Sequence, residues 1–447
     1  MEEKYLVKVS GRSRANDLGL KKFSFGKDQI PQGALLAYRQ KAWEIFEQIP
    51  FPKNTDEAWR RTDIRSMPIE SFKLPSENQY EDLPPVPEAL LKPLISDQHD
   101  GRIILYPGGS QTFLSEELIS KGVVFSDLKS LEKNNPELLN RMIGQTVKPQ
   151  DGKFAALASA FSKDGIVLYV PKDLQIDDPL QSILWGPGPN LAHFSHILIL
   201  LDEGSSATYI HEAASPEEIG FDGFHSGIVE IHVLKNAKLR FVELQSWGKN
   251  IWNFSHERIR VEQDASLDWI FGAVGSRLTK NFLDLDLAGR GSSGKMSGFY
   301  FSDGNQHLDH DTQQNHLAPD TTSDLMFKGA LLGKSRSVWQ GMIYVAPEAQ
   351  KTDGYQANRN LILSDQARAD SIPGLEILAD DVRCTHGATV GKLEQEPLFY
   401  LMSRGISLKE AEQLAVEGFF DPIMQRIPFE GVRERFQRSI IEKMGLR

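Results

Sequence analysis

The 447-residue sequence contains one cysteine, Cys384, so it can form neither an internal disulfide nor a metal site built from several of its own cysteines. A cluster held through this thiol needs ligands from a second chain. No apolar run approaches the roughly 18 to 20 residues of a membrane span, so no membrane partner is expected. Cations are outnumbered: 50 Lys and Arg face 61 Asp and Glu, for a net charge of -11. Nucleic acid, whose binding rests on clustered Lys and Arg, is therefore not an expected partner. The opening residues Met1-Glu2-Glu3-Lys4 have neither the basic start and apolar stretch of a secretory signal nor the Arg- and Ser-rich character of a transit peptide. The expected compartment is the cytoplasm, or a plastid if a transit peptide has been removed.

The rest of the composition is ordinary, 40% hydrophobic and 25% charged, over a length that calls for one elongated body or two to three domains. Residues 1–100 read as an N-terminal helical region with a linker. Leu35, Leu36, Tyr38, Ala42, Ile45 and Phe46 recur at helical spacing, and a Pro-rich, acidic stretch follows from Leu74 to Pro93. Residues 101–154 alternate strand-like RIILYP with helix-like SEELIS and LKSLEKNNPELLNRMI, a small mixed α/β module.

From 155 to 391 the pattern becomes short runs of period two, such as HILILL, GIVEIHVL, KLRFVEL and NFLDLDLAG. Small residues recur in the polar turns between them: Ala207, Ala237, Ala265, Ser293, Ala349 and Ala367. Imperfect regularity of this kind suits a solenoid, in which no coil buries its apolar face alone and stacked turns pack small residues inward. A parallel β-helix is the expected core; a sandwich or jelly roll is the competing arrangement. Residues 392–447 return to helix. Gly405 suits a left-handed cap, Ser407 and Glu410 have capping-box spacing and open a helix with an apolar stripe of Ala411, Leu414, Ala415 and Phe419 that is expected to end near Gly418, and Val432, Phe436 and Ile440 mark a last helix.

Several motifs mislead. GRGSSGK, residues 289–295, imitates a phosphate-binding loop, but Met296 stands where Ser or Thr would hold Mg²⁺, and strand follows where a helix is required. His307, Asp309, His310, Asp311 and His316 are ligand types for a divalent metal without an established spacing, and Gln313, Gln314 and Asn315 read instead as a polar surface ladder. Asp284 and Asp286 share one strand face at about 7 Å. The alternative function is thus an intracellular β-helix enzyme, metal-dependent through the His307–His316 cluster or carbohydrate-active through the paired carboxylates.

Cys384 and His386, two apart in a strand-like segment, are aimed at one face. Thiolate and imidazole suit iron-sulfur clusters or Zn²⁺, whereas the structural alternative is a small buried hydrophobe beside a hydrogen-bonded ring. Three stretches carry a resemblance that bears on this choice. They are His316-Leu317-Ala318-Pro319, the run AQKTDGYQANRNLILSDQARADSIPGLEILADDVRCTHGATVG, and LFYLMSRGISLKEAEQLAVEGFF. With them the chain resembles the SufB/SufD family from about 302 to 423, and Glu57-Ala58-Trp59-Arg60-Arg61-Thr62-Asp63 resembles the N-terminal signature of its SufD branch. The resemblance implies a mainly β protein: a right-handed parallel β-helix between helical N-terminal and C-terminal domains. It also implies a non-catalytic scaffold in iron-sulfur cluster assembly, paired with a SufB-like paralogue and a SufC-like ABC ATPase; a separate alternative is a homomeric adaptor, a homodimer when isolated, self-paired through the strand edge at CTHG. By the same analogy His386, with Cys384 second to it, meets a transient iron-sulfur cluster shared with the paralogue and not bound by this chain alone. Leu398, Phe399, Tyr400 and Leu414 would dock the ATPase. A flavin is associated with the family complex, but no residue here argues for one.

Overall fold

A computed structural model describes residues 22–78, 81, 83–92, 100–216 and 220–445. Met1–Lys4 and Pro93, which figure in the sequence reading, lie outside them. Before the solenoid come α1 (Leu36–Gln48), α2 (Glu88–Leu91), β1 (Gly101–Tyr106), β2 (Gly109–Leu114), α3 (Glu116–Ser120) and β3 (Val124–Asp127), then α4 (Leu128–Asn134), α5 (Pro136–Met142) and α6 (Lys153–Phe161). The solenoid strands are β4 (Asp164–Val170), β5 (Leu180–Trp185), β6 (Ala192–Leu201), β7 (Ser206–Ala214), β8 (Gly223–Val233), β9 (Lys238–Ser246), β10 (Ile251–Val261) and β11 (Ser266–Ala273). They continue through β12 (Leu278–Leu287), β13 (Ser293–Ser302), β14 (His307–His316), β15 (Thr322–Leu331), β16 (Arg336–Val345), β17 (Thr352–Ile362), β18 (Arg368–Ile377) and β19 (Val382–Lys392). Three helices close the chain: α7 (Gln395–Ser403), α8 (Leu408–Met424) and α9 (Glu430–Lys443). No helix among the described residues is long and apolar enough to cross a membrane.

The strands form two sheets whose orders, β19-β17-β15-β13-β11-β9-β7-β5-β1-β2 and β18-β16-β14-β12-β10-β8-β6-β4-β3, skip every second strand. From β4 onward all ladders are parallel, as when a chain winds from one sheet to the other and back. This is a parallel β-solenoid, not a sandwich. Its interior is aliphatic toward one edge, with Ile199, Ile231, Ile259 and Leu285 all buried.

The turns explain the approximate period. Gly204, Asn236, Asp264, Gly291 and Asp320 adopt φ of 69, 60, 55, 72 and 60°, which glycine and the short polar side chains tolerate best. Each of these residues donates its N–H to the turn of the next coil: Gly204 to Lys235 O at 2.9 Å, Asn236 to Gln263 O at 2.9 Å, Asp264 to Arg290 O at 3.0 Å, Gly291 to Pro319 O at 3.2 Å and Asp320 to Gln350 O at 2.9 Å. One residue later lies a buried small side chain: Ser205, Ala237, Ala265, Ser292 and Thr321. Ala237 and Ala265 were legible as members of this ladder; Ala207 and Ser293 sit just beyond it, at strand starts, and Ala349 is buried in a turn without following a residue of positive φ. GRGSSGK is one of these turns. A methyl group at Gly289 would lie 1.9 Å from Gln263 N, a contact with backbone that cannot rotate away. Gly289→Ala is expected to destabilise the protein by about 2–3 kcal/mol, measurable as a lowered chemical-unfolding midpoint.

Helices cover opposite outer faces. On the nine-stranded sheet, Trp43, Phe46, Phe154 and Phe161 pack over Phe194, Phe224 and Phe254. On the ten-stranded sheet, Val416, Phe420, Ile423, Val432, Phe436 and Ile440 pack over Ile210, Val242, Ile270, Phe299 and Leu361. The Ser407–Glu410 capping box forms as expected, and Gly405 takes φ of 89°. However, α8 does not end near Gly418: it continues through Pro422 to Met424. The missing proline N–H is outweighed because Phe420, Ile423 and Met424 are buried against the sheet.

Candidate functional site

Alternation along β14 takes the His/Asp cluster apart. His307, Asp309 and Asp311 face outward, and a lysine already stands where a metal would be required. Lys280 Nζ, with no exposure, lies 2.9 Å from Asp309 and 2.8 Å from Asp311. Thr62 Oγ1 donates to Asp309 and accepts from His307 Nε2 at 2.8 Å, so the Glu57–Asp63 segment docks on this cluster, with Trp59 packed on Phe154, Phe254 and Phe282. His310 and His316 point the other way, into the solenoid. His310 packs between Phe271 and Tyr300 at 5.1 and 5.4 Å, and burial pushes it down to about 3, leaving a neutral ring. His316 bonds Thr321 and Ser323 Oγ, each at 2.8 Å, and burial lowers it to about 4.

The metal-dependent reading therefore lacks support: among the described residues no group of three His, Cys, Asp or Glu is arranged to hold an ion. Asp284 and Asp286 do share a face, but Asp284 accepts from Arg258 at 2.5 Å and Asp286 from Asn315 Nδ2 at 2.7 Å. The polar ladder extends through Gln313, which donates to Asn315 at 2.8 Å. Gln314 does not belong to it, being buried inside and bonded to Ser323 Oγ at 2.6 Å.

At the solenoid's last coil the neighbours thin out. β18 and β19 are the terminal strands of their sheets, each hydrogen-bonded along one side. Leu375 and Ile377 repeat, in register, the fully buried Ile343 and Val345 one coil earlier, yet they are 37% and 38% exposed; Leu378 and Val390 are 52% and 49% exposed. The coil is built as core and left uncovered.

Cys384 and His386 lie on this terminal strand, opposite Gly354 and the buried Gln356 of β17. Cys384 packs against the cluster of Ile343, Val345 and Ala349. A methyl group at Gly354 would lie 3.3 Å from both Cys384 Sγ and His316 Nε2, so this glycine separates a thiol at the open end from a buried imidazole. The sequence reading missed that juxtaposition; the signal was the coil period, which puts Cys384 one turn after Gly354. Burial pushes the Cys384 thiol up, partly offset by a hydrogen bond from the Gly354 backbone, so it must lose a proton before ligating a metal. His386 is exposed and open to a second chain. Beneath the strand the interior is polar. Tyr300 donates to Asn360 Oδ1 at 2.5 Å, Asn360 to Asn358 Oδ1 at 2.6 Å and Ser371 to Asn358 Oδ1 at 2.7 Å.

The helices after the solenoid present a second surface. Phe399, Tyr400 and Leu414 are 73%, 57% and 47% exposed, and Met402 and Leu408 join them. Leu398, expected in the same stripe, is instead 3% exposed. It is the one buried residue of α7, a helix that contacts α8.

Residues 185–419 match the family model described as SUF system FeS cluster assembly, SufBD core domain, and residues 28–182 match SufBD protein N-terminal region. Similar curated proteins, each named iron-sulfur cluster assembly SufBD family protein, come from Staphylococcus epidermidis (strain ATCC 12228), Staphylococcus haemolyticus (strain JCSC1435) and Staphylococcus aureus (strain MRSA252). Each is 30% identical to this chain over 411 residues, covering 89% of the chain and 86% of the relative.

Proposed function

The chain belongs to the SufBD family of iron-sulfur cluster assembly proteins, and on that premise we propose that it is a SufD-type, non-catalytic scaffold subunit. It pairs end-on with a SufB-like paralogue and carries a SufC-like ABC ATPase on its C-terminal helices.

The observation that carries this reading is the difference between the two ends of the solenoid. At one end, β2 and β3 pair antiparallel with β1 and β4, which stops the parallel winding. At the other, two parallel edge strands and a core-like apolar patch are left open. Open edges are managed in stable proteins by covering or pairing them, and among the described residues the open end alone bears the cysteine and an exposed histidine. A nascent cluster, the cargo of assembly, would meet His386 first, because its imidazole is exposed. Cys384, half-buried and protonated at rest, would follow once the thiol proton leaves. With two candidate ligands, this chain offers half of a four-ligand site and the paralogue the rest. The exposed Phe399, Tyr400 and Leu414, with Met402 and Leu408, offer the apolar surface for the ATPase; α8, which carries Leu408 and Leu414, rests on the sheet that ends in β19, and α7 packs on α8.

The test is anaerobic capture of the tagged chain from its own cells, with identification of stoichiometric partners and measurement of bound iron. The wild type is expected to bring down a SufB-like chain and an ABC ATPase. His386→Ala is expected to keep both partners while losing more than half of the iron. Recovery of the chain alone, or as a homodimer only, would refute the heteromeric scaffold.

A further inference from the structure

One side chain joins three segments that are remote in sequence. Residues 83–91 cross the outer face of the ten-stranded sheet, where Leu83, Val86, Leu90 and Leu91 cover Ile104, Tyr106, Ile183, Trp185 and Ala214. Pro84, Pro85 and Pro87 remove backbone donors from this stretch, and its one regular element is the single turn of α2. Side chains hold it through its carbonyls. Trp185 Nε1 donates to Pro84 O at 2.8 Å, Arg102 to Leu91 O at 3.1 Å, Gln181 to Leu90 O at 3.4 Å, and Arg435 to Ala89 O.

Arg435 differs from the other three donors. It comes from α9, and its second nitrogen pairs with Glu212 of β7, which is 2% exposed and also accepts from Gln181 at 3.1 Å. On the outer face of β7, Ile210 lies under the C-terminal helices and Ala214 under residues 83–91, with Glu212 between them. One guanidinium therefore closes the seam between two apolar patches. Of the four donors it alone also forms an ion pair among the described residues, so its bonds are stronger than the neutral ones from Trp185 and Gln181 to backbone carbonyls, and withdrawing it would strand a buried carboxylate.

We propose that residues 83–91 form a releasable strap and that Arg435 is its lock. When α9 shifts, strap and helix disengage together and the apolar strip of β1, β5 and β7 is uncovered. This device stands apart from the assembly role, since it rests on contacts within the chain. Coupled release follows from the bidentate geometry: α9 cannot move away without taking the donor of Ala89 O with it. The strap then retains the neutral bonds from Trp185 and Gln181, the single bond from Arg102 to Leu91 O, and partly exposed aliphatic contacts, the signature of a segment that opens locally.

Leu90→Cys in a Cys384→Ser background reports strap opening as a thiol-labelling rate on the full chain. Arg435→Met and Arg435→Lys are each expected to raise that rate at least tenfold, because lysine keeps a charge for Glu212 but has no second arm for Ala89. Lys443→Met removes the 2.5 Å pair with Asp303 at the far end of α9 and is expected to leave the rate within twofold. Hydrogen exchange of α9 should rise in Arg435→Met as well. If Arg435→Met does not fold, Arg435→Lys decides. Labelling unchanged in Arg435→Lys, or raised as much by Lys443→Met as by the Arg435 variants, would overturn the lock.

Discussion

Lys280→Met is expected to lower folding stability by about 3–5 kcal/mol, read from the shift of the chemical-unfolding midpoint. The ammonium has no solvent exposure and is shared by Asp309, also unexposed, and Asp311. Removing it leaves two carboxylates together with Thr62 as their remaining hydroxyl donor and Gln340, 2.9 Å from Asp311, as their amide donor. Replacing the whole group at once, Lys280→Met with Asp309→Leu and Asp311→Leu, is expected to recover most of the loss, because no uncompensated charge remains. The same cluster gives stability a pH dependence. Burial, opposed by Lys280, pushes the Asp311 carboxyl up to about 7, while in the unfolded chain it titrates near 4. Between those values the folded state holds the extra proton, so the contribution of Asp311 to stability is present below the unfolded value and is lost as pH rises through about 7. Asp311→Asn should flatten that decline, gaining on the wild type at pH 8 relative to pH 5; an unchanged slope would mean another group is responsible.

Leu378→Asp combined with Val390→Asp is expected to weaken capture of the SufB-like paralogue at least a hundredfold, about 2.7 kcal/mol, while shifting the stability of the isolated chain by less than about 0.5 kcal/mol. The two effects separate because both side chains are about half exposed before any partner arrives. In the free chain an aspartate there stays solvated. In an end-on complex it would be buried without a partner at the centre of the contact, where a few desolvated residues carry most of the affinity. Phe399→Asp, on α7 at 73% exposure, should leave paralogue capture intact and remove the ATPase. Undiminished paralogue binding by the first variant would move the interface away from β18 and β19, and loss of both partners in the second would show that the two surfaces are not independent.

Local information alone determined a good deal of this protein. Period-two runs, recurrent small turn residues and the capping box at Ser407 specify strands, stacked turns and helix starts because each depends on neighbours within one coil or one helical turn. The same locality made GRGSSGK readable as a turn, since the residues after it are strand formers. It also placed Cys384 and His386 on one strand, because alternation needs no knowledge of the rest of the chain. What alternation cannot supply is which face is covered, and by what. Asp309 and His310 are adjacent in sequence, yet one meets Lys280 and Thr62 on the outer face and the other lies among Phe271 and Tyr300 inside. Leu398 and Phe399 are likewise adjacent, but only Leu398 is buried, and α8 runs through Pro422 because the sheet beneath repays the lost hydrogen bond. Only the tertiary structure decided that Gly354 stands between Cys384 and His316, and that Arg435 closes on Glu212 and Ala89. These contacts join atoms whose chain separation exceeds any local period, so packing, not sequence spacing, sets their partners and their solvent exposure.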